Sequence, residues 1–182
     1  MRRQLLLGIA FILAAIPCEL GAQQIVPFIG GGLAMGTGDL GEDTNNGWFV
    51  LGGVDVPLTT VTPGFAIGVA ASYARIPYDG QFDEATQVTT ISGELSYLIG
   101  EPAHVVRPYI RAGGGVQIHR YDPGSLNTNS ITDTRAGFTA GAGLNVRMSA
   151  VDVVVGARFA SGSGGGFLGF HGGLALPVGT SR

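Results

Sequence analysis

The stretch VRPYIRAGGGVQIHRY, residues 106–121, decides which kind of β-sheet protein this chain forms. Apolar residues such as Val106 and Ile110 stand at even positions, whereas Arg107 and Arg111 stand at odd positions. Strict alternation predicts a strand with one apolar face and one polar face. In a soluble protein the apolar face packs on the core, whereas in a membrane barrel it meets lipid and the polar face lines the lumen. The rest of the chain distinguishes these two arrangements.

The composition is unusual for a soluble domain. The 182 residues suit a single domain, and they include 32 glycines, more than twice the ordinary usage of about 7%. The glycines lie inside apolar runs such as GVAASYA and GFTAGAGL, and they show no collagen-like period. Only 13% of the residues are charged, against roughly 25% in typical soluble domains. All ten basic residues are arginine.

The N-terminus has the pattern of a secretory signal peptide. Arg2 and Arg3 precede an apolar run over residues 5–16, which is shorter than the ~20 residues of a transmembrane helix. Leu20-Gly21-Ala22 then offers a small-residue cleavage site, which predicts that residues 1–22 are removed. The mature domain is therefore expected to comprise residues 23–182.

The mature chain carries eight arginines and twelve acidic residues, a formal charge of −4. This balance argues against nucleic-acid binding, which requires clustered positive charge. The single cysteine, Cys18, follows Pro17 rather than the small residue of a lipidation motif, and cleavage after Ala22 would remove it. We therefore expect neither a lipid anchor nor a disulfide in the mature protein.

Turn signals divide the mature chain into eight alternating segments, each long enough for the ~9–11 residues of a tilted membrane strand. The segments are residues 25–38, 47–58, 65–78, 88–99, 106–121, 131–148, 151–160 and 167–178. Polar connections such as LGEDTNN and DGQFDEAT follow the odd-numbered segments, and shorter connections such as EPAHV follow the even-numbered ones. Long loops on one side and short turns on the other are typical of outer-membrane barrels.

The polar faces of these segments combine charged residues with very small ones. In the third segment, large apolar residues alternate with Ala66, Gly68 and Ala70. An eight-stranded barrel is only just wide enough for its side chains to fill it, so small residues leave room for arginines. The sheet must close, because the backbone N–H and C=O groups of an open edge would have no hydrogen-bond partners in lipid. The sequence therefore predicts an all-β, eight-stranded antiparallel up-and-down transmembrane β-barrel.

Seven inward-facing residues are predicted to form a structural charge network in the lumen. They are Asp55, Glu94, Arg111, Arg135, Asp152, Arg158 and His171. The EPAHV connection places Glu94 directly opposite Arg111 or one diagonal step away, and opposite charges stabilise such cross-strand pairs. Pairing is close to obligatory there, since an unpaired buried charge is very costly. The alternative hypothesis is a gate whose pairs exchange to admit ions.

No catalytic, cofactor or metal site is predicted. His119 and His171 have no serine close by in their own segments, whereas a catalytic base needs a nucleophile within hydrogen-bonding reach. The glycine runs at 30–32 and 113–115 precede no helix, so they do not resemble phosphate-binding motifs. The loops are acidic without the spacing of a calcium-binding loop. Their acids are Asp39, Glu42, Asp43, Asp79, Asp83, Glu84 and Asp122.

On these features, residues 23–182 resemble the small eight-stranded outer-membrane β-barrel family, of the outer membrane protein A type. The resemblance rests on the signal peptide, the eight alternating segments, the unequal connections and the Arg/Glu lumen. The chain ends in LALPVGTSR rather than in the aromatic residue usual for that family. The resemblance implies a cell outer-membrane location in a Gram-negative-type envelope.

The resemblance further implies a monomer that contacts outer-membrane lipid and lipopolysaccharide and is inserted by the barrel-assembly machinery. We expect a filled polar lumen, acidic extracellular loops and a structural or surface-interaction role without enzymatic chemistry. Two alternatives remain open at this point. One is a small channel or hydrophobic-ligand carrier, and the other is a secreted soluble lipocalin-like binding barrel.

Overall fold

The chain folds into a closed barrel of eight antiparallel strands. The computed structural model describes residues 24–41, 44–58, 63–79, 84–122, 131–163 and 165–179. The strands are β1 (Val26–Thr37), β2 (Gly47–Pro57), β3 (Phe65–Pro77), β4 (Ala85–Leu98), β5 (Val106–Asp122), β6 (Ile131–Met148), β7 (Val151–Gly162) and β8 (Gly165–Ala175). A 3-10 turn, Gly38–Leu40, follows β1. Within the described residues, no helix is long and apolar enough to cross a membrane.

Each strand pairs with its neighbours in the chain, and β8 pairs with β1 to close the sheet. A path that follows paired residues once around the barrel starts at Pro27 and returns to β1 at Thr37, ten residues further along. A stagger of ten residues over eight strands corresponds to a strand tilt of about 40°, within the usual range for barrels. The predicted fold class is confirmed.

Two strand boundaries differ from the predictions in informative ways. β4 begins at Ala85, three residues before the predicted start, because Ala85 still pairs with Pro77 and Asp122. β8 ends at Ala175 instead of residue 178. Pro177 has no N–H to donate to the sheet, and the pairing resumes only as an isolated bridge between Val178 and Ile25.

The connections give the barrel two distinct ends. The loop end carries the connections that follow β1, β3, β5 and β7, and the turn end carries the others together with both ends of the described chain. A two-residue turn, Ser149-Ala150, joins β6 and β7. Ser149 adopts a φ of 53° there, as two-residue hairpin turns require.

The exterior of the barrel is apolar on all eight strands. Large side chains that stand exposed on successive strands are Ile29, Val50, Ile67, Leu95, Ile110, Leu144, Val155 and Leu174, each between 42% and 68% accessible. Charged side chains such as those of Glu94 and Arg158 instead face the interior of the barrel and are buried. A water-soluble binding barrel needs the reverse arrangement, whereas a bilayer accepts an apolar exterior without cost.

Outward-facing aromatic rings meet near both ends of this apolar exterior. Trp48 and Tyr73 pack with ring centroids 5.6 Å apart toward the loop end. Phe65 and Tyr97 pack at 4.5 Å toward the turn end. Aromatic rings at two levels are typical of the interfacial girdles of membrane barrels.

Replacing an exposed mid-strand residue with arginine tests the lipid-facing assignment. Val116 lies near the middle of β5 and Met148 at the turn end of β6, and both face outward. In lipid vesicles, Val116→Arg is expected to lower the free energy of unfolding by about 2–4 kcal/mol, and Met148→Arg by about 0–1 kcal/mol. Denaturant titration of the vesicle-inserted protein measures both values. Equal costs at the two depths would contradict the assignment.

Candidate functional site

The centre of the lumen holds four charged side chains, which we call the charge cluster: Asp55, Glu94, Arg111 and Arg158. They come from β2, β4, β5 and β7, and the alternation of each strand directs them inward. Glycine makes room for them. The inward cross-strand neighbours of Glu94 are Gly68 and Gly113, and a Cβ added to Gly113 would lie 2.7 Å from Cγ of Glu94.

Glu94 is the centre of the charge cluster. Its Oε1 accepts hydrogen bonds from Ser92 Oγ at 2.7 Å and Thr139 Oγ1 at 3.0 Å, and it is also contacted by Arg158 Nη2. Its Oε2 lies 3.2 Å from Nη1 of both Arg111 and Arg158. A carboxylate that is buried this deeply must be fully paired. The contacts with two guanidinium groups and two hydroxyls meet that requirement.

Arg111 links the two acids of the charge cluster. Its Nη2 pairs with Oδ2 of Asp55, while its Nη1 reaches Glu94. Its guanidinium carbon lies 4.5 Å from the ring centroid of Phe28, a cation–π contact. Two carboxylates and two guanidinium groups therefore balance in charge, which limits the cost of removing them from water.

The predicted proximity of Glu94 and Arg111 is present in the structure as the diagonal arrangement. Glu94 is directly opposite Gly113, and Arg111 is directly opposite Ser96. Diagonal neighbours lie about 7–8 Å apart at their Cα atoms, within reach of long side chains. The contact between Arg158 and Glu94, which crosses the lumen, was not predicted.

Three of the seven predicted network residues lie outside the charge cluster. Arg135 is near the loop end, where it bonds to Asp133 at 2.6 Å and to the carbonyl oxygen of Ser163. Asp152 is buried at the turn end, directly opposite Arg147. His171 lies 3.2 Å from the hydroxyl of Tyr109 instead of beside an acid. These residues were predicted to belong to one network because all of them face inward. They lie at different heights along the barrel axis, and this separates them from the charge cluster.

An apolar layer, which the sequence analysis did not single out, fills the lumen on the loop side of the charge cluster. We call it the apolar plug. Its members are Ala34, Phe49, Leu51, Ala74, Ile76, Val88, Ala160 and Phe167. The rings of Phe49 and Phe167 pack with centroids 5.4 Å apart and are almost completely buried. The lumen is therefore apolar in one layer and charged in the next. The alternation in β2 and β8 places Phe49 and Phe167 on the inward faces of these strands, and this signal could have identified them from the sequence.

The two lumen histidines, His119 and His171, have neutral side chains as their hydrogen-bond partners. Nε2 of His119 lies 3.2 Å from Oε1 of Gln117. His171 contacts Tyr109 and the edge of the Phe49 ring, 6.0 Å between centroids. Among the described residues, no group of three His, Cys, Asp or Glu side chains is placed to hold a metal ion.

Four of the seven loop acids fall within the described residues and lie at the loop end. Asp39 is exposed. Asp79 accepts a bond from Asn45 at 3.4 Å, and Glu84 accepts one from the hydroxyl of Tyr121 at 2.9 Å. Asp122 accepts a bond from Gln87 at 3.3 Å. The other three, Glu42, Asp43 and Asp83, lie outside the described residues, as does the predicted signal peptide.

Comparison with known proteins identifies the fold. No family model and no curated protein matches the chain. Among solved structures, the chain is similar to Neisserial surface protein A, with a TM-score of 0.63 and 14% identity over 85% of this chain and 97% of that one. It is also similar to Ail, the attachment invasion locus protein of Yersinia pestis, with a TM-score of 0.57 and 12% identity over 86% and 99% of the two chains.

A third similar structure is the N-terminal β-barrel domain of Pseudomonas aeruginosa OprF, with a TM-score of 0.54 and 18% identity over 86% and 99% of the chains. Likenesses at these identities show the fold. The chain thus has the fold of small eight-stranded outer-membrane β-barrels, as the sequence predicted. The expected outer-membrane location agrees with this fold and with the apolar exterior.

Proposed function

We propose that this chain, which has the fold of the small outer-membrane barrels, is an integral outer-membrane protein with a filled lumen. Its role is structural or surface-interacting, and it performs no enzymatic chemistry. The observation that carries this proposal is the two-layer filling of the lumen. The apolar plug occupies the loop side, and the charge cluster occupies the layer beneath it.

The burial of the two layers supports a lumen that is closed toward the loop end. The largest plug side chains, those of Phe49 and Phe167, are at most 1% accessible. Within the charge cluster, the side chains of Glu94 and Arg158 are 1% and 3% accessible. Those of Asp55 and Arg111 are 15% and 13% accessible. Ions that enter from the turn end would therefore reach paired charges first and the apolar plug next.

The absence of enzymatic chemistry is supported by the partners of the polar groups in the lumen. The hydroxyls of Ser92 and Thr139 donate to Glu94, which is itself held by two arginines. A serine nucleophile needs a histidine base within hydrogen-bonding reach. The two lumen histidines instead contact Gln117 and Tyr109.

The loop end is the part of the protein that suits a surface partner. Seven acids occupy the predicted loops, which contain no basic residue. A partner with positive charge, or one that binds through divalent cations, would complement this end. Ail has been solved with the heparin analogue sucrose octasulfate, and the acidic loops here disfavour such a polyanion. The apolar exterior suits contact with outer-membrane lipid and lipopolysaccharide. The proposal also includes insertion by the barrel-assembly machinery and a monomeric state.

Conductance across planar bilayers tests the filled lumen. The wild-type protein is expected to produce no conductance steps. The double variant Phe49→Ala/Phe167→Ala, which removes the two largest side chains of the apolar plug, is expected to raise ion permeability. The control is Phe65→Ala/Phe138→Ala, which removes two outward-facing rings and should stay silent. Conductance by the wild-type protein would contradict the proposal and favour the channel alternative.

A further inference from the structure

A guanidinium group without a counterion lies in the lumen at the turn end of the barrel. Arg107, on β5, faces inward and is only 7% accessible. Its Nε is buried without a hydrogen-bond partner, and no hydrogen bond or salt bridge joins its guanidinium to another described residue. A charge removed from water needs a partner. Arginine cannot avoid this cost by losing its proton, so a partner of opposite charge has to be supplied.

The charged side chains that act on Arg107 are Arg147 and Asp152, and we call these three residues the turn-end cluster. Asn145 is directly opposite Arg107, and Arg147 lies two residues further along β6, in the diagonal position. Arg147 donates a hydrogen bond from Nη1 to the carbonyl oxygen of Pro102 at 2.8 Å. Asp152 is directly opposite Arg147 on β7. One carboxylate therefore accompanies two guanidinium groups, and the cluster has a net charge of one positive unit.

The other acid near this end does not neutralise the turn-end cluster. Glu101 is exposed in the turn between β4 and β5, and it forms no salt bridge with a described residue. The stretches 59–62 and 180–182, which lie outside the described residues, contain no acidic side chain. The sequence and the structure thus give Arg107 no acidic side chain of its own.

The charge cluster is also too distant and already balanced. Arg111, its nearest member on β5, lies four residues from Arg107, which is about 13 Å along a strand. Tyr109 faces inward between these two arginines and is buried. Its ring closes over Gly143, where an added Cβ would lie 2.8 Å from Cε1 of Tyr109. This ring separates the turn-end cluster from the acids of the charge cluster.

We propose that the turn-end cluster binds an anionic phosphate group, with Arg107 and Arg147 as the donors. A guanidinium presents N–H groups in a planar fork that matches two oxygens of a phosphate. Arg107 has all of its N–H groups available, and Arg147 retains those that do not bond to Pro102. A bound monoanion would bring the net charge of the cluster to zero. Water could hydrate the N–H groups, but it would leave that charge uncompensated.

The location at the turn end is compatible with two sources of phosphate. The turns of an outer-membrane barrel face the periplasm, so free phosphate can enter the lumen from that side. Phospholipid headgroups of the same leaflet lie at the level of the turns, and their phosphodiesters present the same pair of oxygens. Neither source depends on the role proposed for the loops or on the filling of the lumen toward the loop end.

Isothermal titration calorimetry with inorganic phosphate tests the site. The protein is held in a maltoside detergent and chloride buffer, which contain no phosphate. We expect one phosphate to bind per chain. Arg107→Met keeps the length of the side chain and removes its charge, and it should weaken binding at least about tenfold, as the loss of a charge-assisted hydrogen bond does. Arg120→Met is the matched control, because Arg120 is an exposed, outward-facing arginine at the loop end of the same strand. It should bind phosphate as the wild type does.

A second titration uses short-chain phosphatidylglycerol and distinguishes the two sources. Binding of either probe that is weakened by Arg107→Met and not by Arg120→Met supports the site, and the probe that binds more tightly identifies the source. The proposal is overturned if neither probe binds at millimolar concentrations, or if the wild type and Arg107→Met bind equally well.

Thermal stability gives an independent readout, measured as the temperature at which half of the folded band is lost on a denaturing gel. Without phosphate, Arg107→Met removes a buried charge that has no partner, so this midpoint should stay unchanged or rise. Phosphate should raise the midpoint of the wild type, because it binds the folded state, and should leave that of Arg107→Met unchanged. A lower midpoint for Arg107→Met in phosphate-free buffer would show that Arg107 has a partner within the protein, and this would overturn the proposal.

Discussion

Replacing Glu94 with alanine is expected to lower the free energy of unfolding by about 3–5 kcal/mol, because it leaves buried arginines without their shared partner. Glu94 contacts both Arg111 and Arg158, and Arg158 is almost completely buried. Arg111 retains Asp55 in this variant, whereas Arg158 keeps no carboxylate among the described salt bridges. The measurement is equilibrium unfolding in detergent or lipid. The fractions of folded and unfolded protein are read from their separate bands on a denaturing gel.

Two variants separate this effect from a general sensitivity to mutation. Glu101→Ala removes an exposed acid in the turn between β4 and β5 and should change stability by less than about 0.5 kcal/mol. Glu94→Gln combined with Arg158→Met removes one charge of each sign and keeps similar volumes. Since buried pairs are often replaceable by apolar groups at little cost, the double variant should recover most of the loss. A Glu94→Ala protein as stable as Glu101→Ala would show that the charge cluster is dispensable.

Replacing Gly115 with alanine is expected to prevent closure of the barrel or to destabilise it by at least about 3 kcal/mol, the upper part of the range for overpacked interiors. A Cβ at Gly115 would lie 1.9 Å from the carbonyl oxygen of Ile91 on β4. That obstacle is backbone in a paired strand, so it cannot rotate away as a side chain can. Only glycine allows β4 and β5 to approach this closely.

The adjacent residue supplies the matched control. Gly114 faces outward, and a Cβ there would lie 3.8 Å from its nearest neighbour, the carbonyl oxygen of Gly137. Gly114→Ala is therefore expected to fold with nearly wild-type stability. The two variants are compared by the fraction of refolded protein that runs as the folded band on a gel without heating. Equal yields for Gly114→Ala and Gly115→Ala would contradict the steric explanation.

Much of the fold was predictable because it depends on local alternation. The side chains of a strand alternate between its two faces with a period of two, so each segment showed from sequence which residues face inward. Glu94 and Arg111 could also be placed near each other, because a short turn joins their strands. Hairpin neighbours are fixed by turn length and register, and both are local properties.

The sequence by itself determined that this chain forms eight alternating strands with an apolar exterior and that Glu94 and Arg111 share the lumen. Only the tertiary structure decided that Arg158 meets Glu94 across the lumen, that Phe49 and Phe167 form a plug, and that Arg135 lies apart. The physical reason is the stagger of ten residues around the closed barrel. That stagger sets the height of each side chain along the barrel axis, and it is established only when β8 pairs with β1.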